Sequence, residues 1–270
     1  MSMKGAACLG LIVATLAGGC GGDSDSPSAQ SPTPSASPRA AAPLPAPSER
    51  CGPPDAPART LRFETSDGVT LDGAIVGSGP VGAVLIHEYP GPMCGWWPYA
   101  AYLARHGVRA LLFDLRCFGD SACDTGRGHA TTDVAAAMQA LREDGARSVA
   151  LVGASMGGAI AVVAAARLHP AALVDLSGER DTATLTPGIR ANAGAAAPDV
   201  TAPALFAVAR DDRYVPVSDM RAVYASAGSR SKRLIVLPAI AGHGWGMLLG
   251  LRTEWSPLAR QVAAFIRDHT

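Results

Sequence analysis

From residue 61 to the C-terminus, short apolar runs rich in β-forming residues alternate with segments of helical periodicity, an alternation that leaves few folds open. Strands are expected at 61–65, 70–76, 81–87, 109–113, 148–152, 171–176, 204–209 and 233–237. Helices are expected at 99–106, 133–144, 156–168, 218–226 and 256–268. Strands that alternate with helices build a mostly parallel eight-stranded sheet flanked by helices, because each crossover lays an apolar helical stripe on the sheet. The first two strands depart from this. Ser66-Asp67-Gly68 between them is a tight-turn signal, so they are expected to form an antiparallel hairpin.

All fourteen Phe, Tyr and Trp residues lie at or beyond Phe63, while ten of the 21 prolines fall between Pro27 and Pro57. The folded domain is therefore expected at 59–270, about 210 residues, enough to bury one large core. Residues 1–20 read as an export signal: Lys4 gives a positive start, an apolar run follows, and small residues precede Cys20. Leu16-Ala17-Gly18-Gly19-Cys20 resembles the lipobox of bacterial lipoproteins, with Ala17 where leucine is usual. That resemblance implies lipidation of Cys20 and a cell-surface protein; plain secretion is the alternative. Residues 21–58, mostly Ser, Pro, Ala and Gly, bury too little apolar area to offset their ordering entropy and read as a disordered tether.

Charge narrows the partners. The chain carries 23 basic and 23 acidic side chains, scattered singly, so no basic stripe exists for nucleic acid. No apolar stretch after residue 20 reaches the ~20 residues of a membrane helix, so the expected membrane contact is only through a lipid at Cys20. Of six cysteines, Cys8 leaves with the signal and Cys20 carries lipid, leaving Cys51, Cys94, Cys117 and Cys123 to pair in an oxidising compartment. Of three connectivities, Cys117–Cys123 and Cys51–Cys94 are expected: the first closes a short loop after the fourth strand and the second ties the tether's end to the domain. No zinc-ligand spacing is present, since His87-Glu88 lacks a second histidine at position 91.

Two glycine motifs compete for the chemistry. Gly77-Ser78-Gly79-Pro80-Val81-Gly82 has the letters of a dinucleotide fingerprint, but a strand follows it instead of the helix that would aim N–H groups at a pyrophosphate. Gly153-Ala154-Ser155-Met156-Gly157-Gly158 joins an apolar strand to an alanine-rich helix. Such a tight strand-to-helix turn needs small neighbours and lifts the Ser155 hydroxyl to the helix N-terminus, as a nucleophile requires. A base must follow. His169 lies at the far end of the same helix and His269 is penultimate, which leaves His243 in a glycine-flanked turn after the last strand. For the orienting acid, Asp211 and Asp212 both follow the strand 204–209, and Asp175 ends the preceding strand.

Residues 61–270 resemble the α/β-hydrolase superfamily. Asp212-Arg213-Tyr214-Val215-Pro216 matches the family's D-x-x-V-P acid loop, which implies that Asp212 is the acid. His87-Glu88-Tyr89-Pro90-Gly91 stands for H-G-x-x-G, and Asp114-Leu115-Arg116-Cys117-Phe118-Gly119-Asp120-Ser121 for D-x-R-G-x-G-x-S. Glu88 and Cys117 replace glycines; the former is similar to dienelactone-hydrolase-like members, although those generally use cysteine where Ser155 stands. The resemblance implies an α/β-hydrolase fold, no cofactor, and an oxyanion hole formed by the backbone N–H groups of Met156 and Tyr89.

Only about 27 residues, 177–203, separate the sixth and seventh strands, so no sizeable cap domain is expected and the cleft should be open. Met93, Trp96, Trp97, Trp245 and Met247 either edge that cleft or pack beneath its loops. The expected activity is that of a serine carboxylesterase acting on a small-molecule ester of short to medium chain through an acyl-enzyme. A peptidase of the same fold and a non-catalytic binding domain on that scaffold are the alternatives.

Overall fold

The computed structural model describes residues 45–53, 56–124, 130–184, 189–250 and 254–270. The expected export signal, Cys20 and the tether up to residue 44 lie outside the described residues. β1 (Ala58–Glu64) and β2 (Thr70–Val76) form the expected antiparallel hairpin, with Glu64 opposite Thr70. β3 (Val81–Ile86), β4 (Val108–Phe113), β5 (Ser148–Ala154), β6 (Ala172–Leu176), β7 (Ala204–Ala209) and β8 (Lys232–Leu237) complete one sheet of order β1-β2-β4-β3-β5-β6-β7-β8. β2 runs antiparallel to β4, and all pairings from β4 to β8 are parallel. The glycine-rich run 77–82 only links β2 to β3, with no helix after it.

Parallel neighbours need crossovers, and helices supply them. α1 (Pro47–Cys51) precedes the sheet; α2 (Trp97–Arg105), α3 (Ala130–Glu143), α4 (Met156–Leu168), α5 (Ala193–Ala196) and α6 (Val217–Ser226) lie between strands; α7 (Pro257–His269) closes the chain. Side-chain alternation along the strands splits the core into two layers. On β4, Leu111 and Phe113 pack with Val134 and Met138 of α3 and Ile160 of α4, whereas Ala110 and Leu112 pack with Leu103 of α2 and Val262 of α7. All four strand residues are fully buried. Each leucine or phenylalanine so placed contributes about 1.5–3 kcal/mol by leaving water.

This strand order creates the crevice. After β3 the chain crosses to β4 on one side, and α3 returns it to β5 on the other, so β3 and β5 are neighbours whose following segments diverge. Divergence of that kind opens a cleft at the carboxyl ends of the two strands. Between β6 and β7 the described residues hold only α5 and 3-10 turns at Thr182–Thr184 and Ala197–Asp199, so no sizeable cap stands over the cleft from there.

The expectation that the tether runs to residue 58 is corrected at its end, because α1 lies within that stretch. Cys51 is bonded to Cys94, and Trp97 Nε1 donates to the Gly52 carbonyl at 2.7 Å. Arg50 reaches Asp72 at 2.7 Å and also pairs with Asp114, two buried acids that outweigh the polar, proline-rich composition of the segment. The second disulfide, Cys117–Cys123, closes the loop after β4. Both expected pairings are thus present. In the same loop Arg116 donates to Asp133 of α3 from Nε at 2.8 Å and to Asp67 of the hairpin turn from Nη1 at 2.8 Å, joining three elements. Among the described residues, no helix is long and apolar enough to cross a membrane, and no cluster of His, Cys, Asp and Glu is placed to hold a metal ion.

Candidate active site

β5 ends at Ala154 and α4 begins at Met156, so the chain must reverse at a single residue, Ser155. Its φ of 49° and ψ of −121° are an uncommon conformation for a residue with a side chain. Close packing explains the glycines around it. A Cβ on Gly153 would strike the Gly157 carbonyl, and one on Gly157 would strike the carbonyls of Ile86 and His87. The turn is therefore wedged against the end of β3. Gly158 and Ala159 donate to the Ser155 carbonyl, so helix geometry leaves the N–H groups of Met156 and Gly157 without an intrahelical acceptor.

His87 ends β3's run and is fully buried, and its two partners fix its state. Nε2 accepts from Leu115 N at 3.1 Å, so Nδ1 carries the proton and donates to the Glu88 carbonyl at 3.1 Å. Burial holds this imidazole below its ordinary pKa, and a neutral ring suits a structural pin for the loop carrying Tyr89. Asp114 holds the next stretch by accepting from Met93 N at 2.7 Å.

Across the cleft, the turn after β7 brings Asp212 to the turn after β8. His243 Nδ1 lies 2.8 Å from Asp212 Oδ2 and 2.9 Å from Oδ1. Burial pushes the Asp212 carboxyl up, but hydrogen bonds from His243, the Tyr214 amide, the Ser177 hydroxyl and the Val215 amide outweigh it and hold the group below its ordinary value. Asp212 is thus an ionised partner for an imidazole at neutral pH. The Ser177 hydroxyl also faces Met247 Sδ at 3.6 Å, yet its single proton serves the carboxylate, the far stronger acceptor. Residues 243–244 return to the Ser155 turn, since a Cβ on Gly244 would touch Ala154 and strike the Glu88 carboxylate.

The other acid candidates stay apart from the imidazole. Asp211 is exposed. Asp175 is fully buried and accepts from Gly178 N at 2.7 Å, which leaves burial to push its carboxyl up to about 7. Of the two readings of the apolar residues near the cleft, packing holds for four: Met93, Trp96, Trp97 and Met247 are core residues at 0–1% exposure, packed under the loops by the same apolar driving force that fills the sheet faces. Trp245 is only partly buried and meets Trp96 edge-on at 5.8 Å.

Two residues at the site escaped the sequence reading, and a third was read without its surroundings. Ser177 has no motif to mark it. Tyr214, 59% exposed, lays its ring 4.8 Å from that of His243 beside a groove of about 560 Å³, which Glu179, Arg180, Asp181 and Asn192 also line. Glu88 was visible as an acid in place of glycine, but its surroundings were not. Its Oε2 accepts from Trp245 N at 3.4 Å, and burial pushes its carboxyl up to about 7 against the pull of His243.

Solved structures share this architecture. An esterase from Pyrococcus furiosus superposes with a TM-score of 0.68 at 17% identity, covering 82% of this chain and 94% of its own. A thermophilic esterase from Thermogutta terrifontis gives 0.60 at 19% identity, with 78% and 100% covered. An esterase from Exiguobacterium antarcticum gives 0.61 at 16%, with 77% and 99% covered. At such identities the likeness is one of fold. No curated protein sequence matches the chain. A family model for the alpha/beta hydrolase family does match, over residues 83–267, which takes in most of β3 and every residue of the cleft from Ile86 to Gly244. The chain belongs to the alpha/beta hydrolase family.

Proposed function

We propose that the protein is a serine hydrolase that cleaves small esters of short to medium acyl chain through an acyl-enzyme. The observation that carries the reading is the His243–Asp212 pair, 2.8 Å apart, with His243 on a loop that folds back against the strained turn holding Ser155. His243 takes the Ser155 proton as Oγ attacks the ester carbonyl, and Asp212 fixes the Nδ1–H tautomer and stabilises the imidazolium. Charge developing on the carbonyl oxygen falls to the N–H groups of Met156 and Tyr89, preset donors that need no reorganisation. The imidazolium then protonates the departing alcohol. Water, deprotonated by the same imidazole, releases the acid and restores Ser155.

Chain length tests the reading. Each buried CH₂ is worth about 0.8 kcal/mol, but only a walled pocket removes distal methylenes from water. Here the groove that Tyr214 lines holds mostly polar side chains, and the segment between β6 and β7 supplies no sizeable cap among its described residues. Across p-nitrophenyl esters, kcat/KM should peak between about two and eight acyl carbons and then fall. A steady rise to sixteen carbons would overturn the open-cleft reading, and absence of ester turnover with cleavage of peptides would favour the peptidase.

The setting proposed is the cell surface, with Cys20 carrying a lipid. The export-like residues 1–20 and two disulfides, which form and persist in oxidising compartments, support it. Mass spectrometry of protein from the native host should find a chain beginning at a diacylated Cys20. An unmodified N-terminus further along would mean ordinary secretion.

A further inference from the structure

Glu88 is a carboxylate at the cleft that the reaction as written does not use. It stands between His87, whose ring pins the loop after β3, and Tyr89, whose N–H faces the reacting carbonyl in the mechanism above. Its carboxylate does not turn to solvent. It crosses to the loop after β8, where Oε2 accepts from Trp245 N at 3.4 Å and fills the space that Gly244 leaves open. Any side chain at 244 would strike that oxygen, so the two loops meet at one carboxylate and one missing Cβ. The titratable groups facing Glu88 are His243, which attracts its charge, and Asp212, which repels it.

We propose that Glu88 is a positioning residue for His243: its carboxylate couples the loop after β3 to the loop after β8 and, when ionised, stabilises the imidazolium formed as Ser155 loses its proton. The proposal rests on Ser155, His243 and Asp212 being the reacting set. Burial supplies the control, because a carboxyl pushed up to about 7 changes charge within the working pH range. Below that pH the group is a neutral acid that adds no field at His243. Above it, a second negative charge joins Asp212 beside the imidazole, and the transition state with its imidazolium gains more than the neutral resting state. Folding stability moves the opposite way. A carboxyl whose pKa is higher in the folded chain than its ordinary 4.5 loses stabilisation as pH rises from there through about 7, so ionised Glu88 serves catalysis at the expense of stability.

The experiment compares kcat/KM for p-nitrophenyl butyrate from pH 5.5 to 9 in the wild type, Glu88→Gln and Glu88→Ala, with rates normalised to sites titrated by a fluorophosphonate. Gln keeps an oxygen acceptor for Trp245 N and cannot ionise. The wild-type to Gln ratio should be near one at the acid end and rise through pH 7 to about tenfold, the size expected of one added charge at short range in a partly screened site. The Ala variant, lacking the acceptor as well, should be slower than Gln at every pH. Thermal melting at pH 8 should show Gln no less stable than the wild type. A ratio that does not change with pH would reduce Glu88 to a scaffold residue and overturn the proposal. Retained turnover in Ser155→Ala would instead sink the reading beneath it, so the two failures are distinguishable.

Discussion

Replacing Ser155 by alanine should lower kcat toward a short-chain ester by up to about 10⁶-fold while leaving the fold intact, because nucleophile and base act as one unit and neither works alone. Alanine tolerates the φ of 49° no worse than serine, so the loss is chemical and not structural. His243→Ala should fall by a similar factor, and the double variant should be little worse than either single one. Steady-state turnover, with circular dichroism to confirm folding, reads all three. Substantial residual activity in Ser155→Ala would assign the chemistry to another group and remove the serine hydrolase reading. It would leave membership of the alpha/beta hydrolase family untouched, since that rests on the match over residues 83–267.

Asp212→Asn should cost about 10⁴-fold in kcat, because an amide in place of the carboxylate lets the imidazole adopt the wrong tautomer and leaves its positive form without a counter-charge. Asp211→Asn, one residue away and exposed, should be close to wild type. The contrast is sharp because the two residues are chemically alike and differ only in where the turn after β7 sends them. Tyr214 N and Val215 N, at 2.9 and 3.0 Å, hold Asp212 Oδ1 in the turn and aim the group at Nδ1. A loss in Asp211→Asn alone, or a loss appearing only with Asp175→Asn, would falsify the assignment of the acid.

Most of the frame was legible in the sequence. Strand and helix periodicities are local properties, so β2, β7 and α4 fall on the residues expected, and the other strands differ by three residues or fewer at either end. The Ser155 turn was legible for a similar reason: small residues at 153, 157 and 158 are the trace of backbone passing too close for a Cβ. Of the cysteine pairs, Cys117–Cys123 is local, six positions apart, whereas Cys51–Cys94 spans 43 positions and is brought together by the fold. What the sequence could not carry was anything decided by which elements become neighbours. The order β4-β3-β5, which opens the cleft, comes from the way crossovers pack on both faces. Asp211 and Asp212 are indistinguishable by type and separable only by a motif or by the fold. Met93, Trp96, Trp97 and Met247 looked equally suited to a cleft wall or a core, and the packing of the loops over the sheet decided for the core. Ser177, 35 positions before Asp212, reaches it only because β6 and β7 are adjacent. Glu88 and Trp245 are 157 positions apart, and no local pattern records the contact that makes a half-buried carboxylate of one and its donor of the other. Sequence by itself determined the elements, their type and the chemistry-bearing side chains, because these depend on residues near one another in the chain. Tertiary structure alone decided which groups share a dielectric, a hydrogen bond or a cavity, because those depend on distance in space.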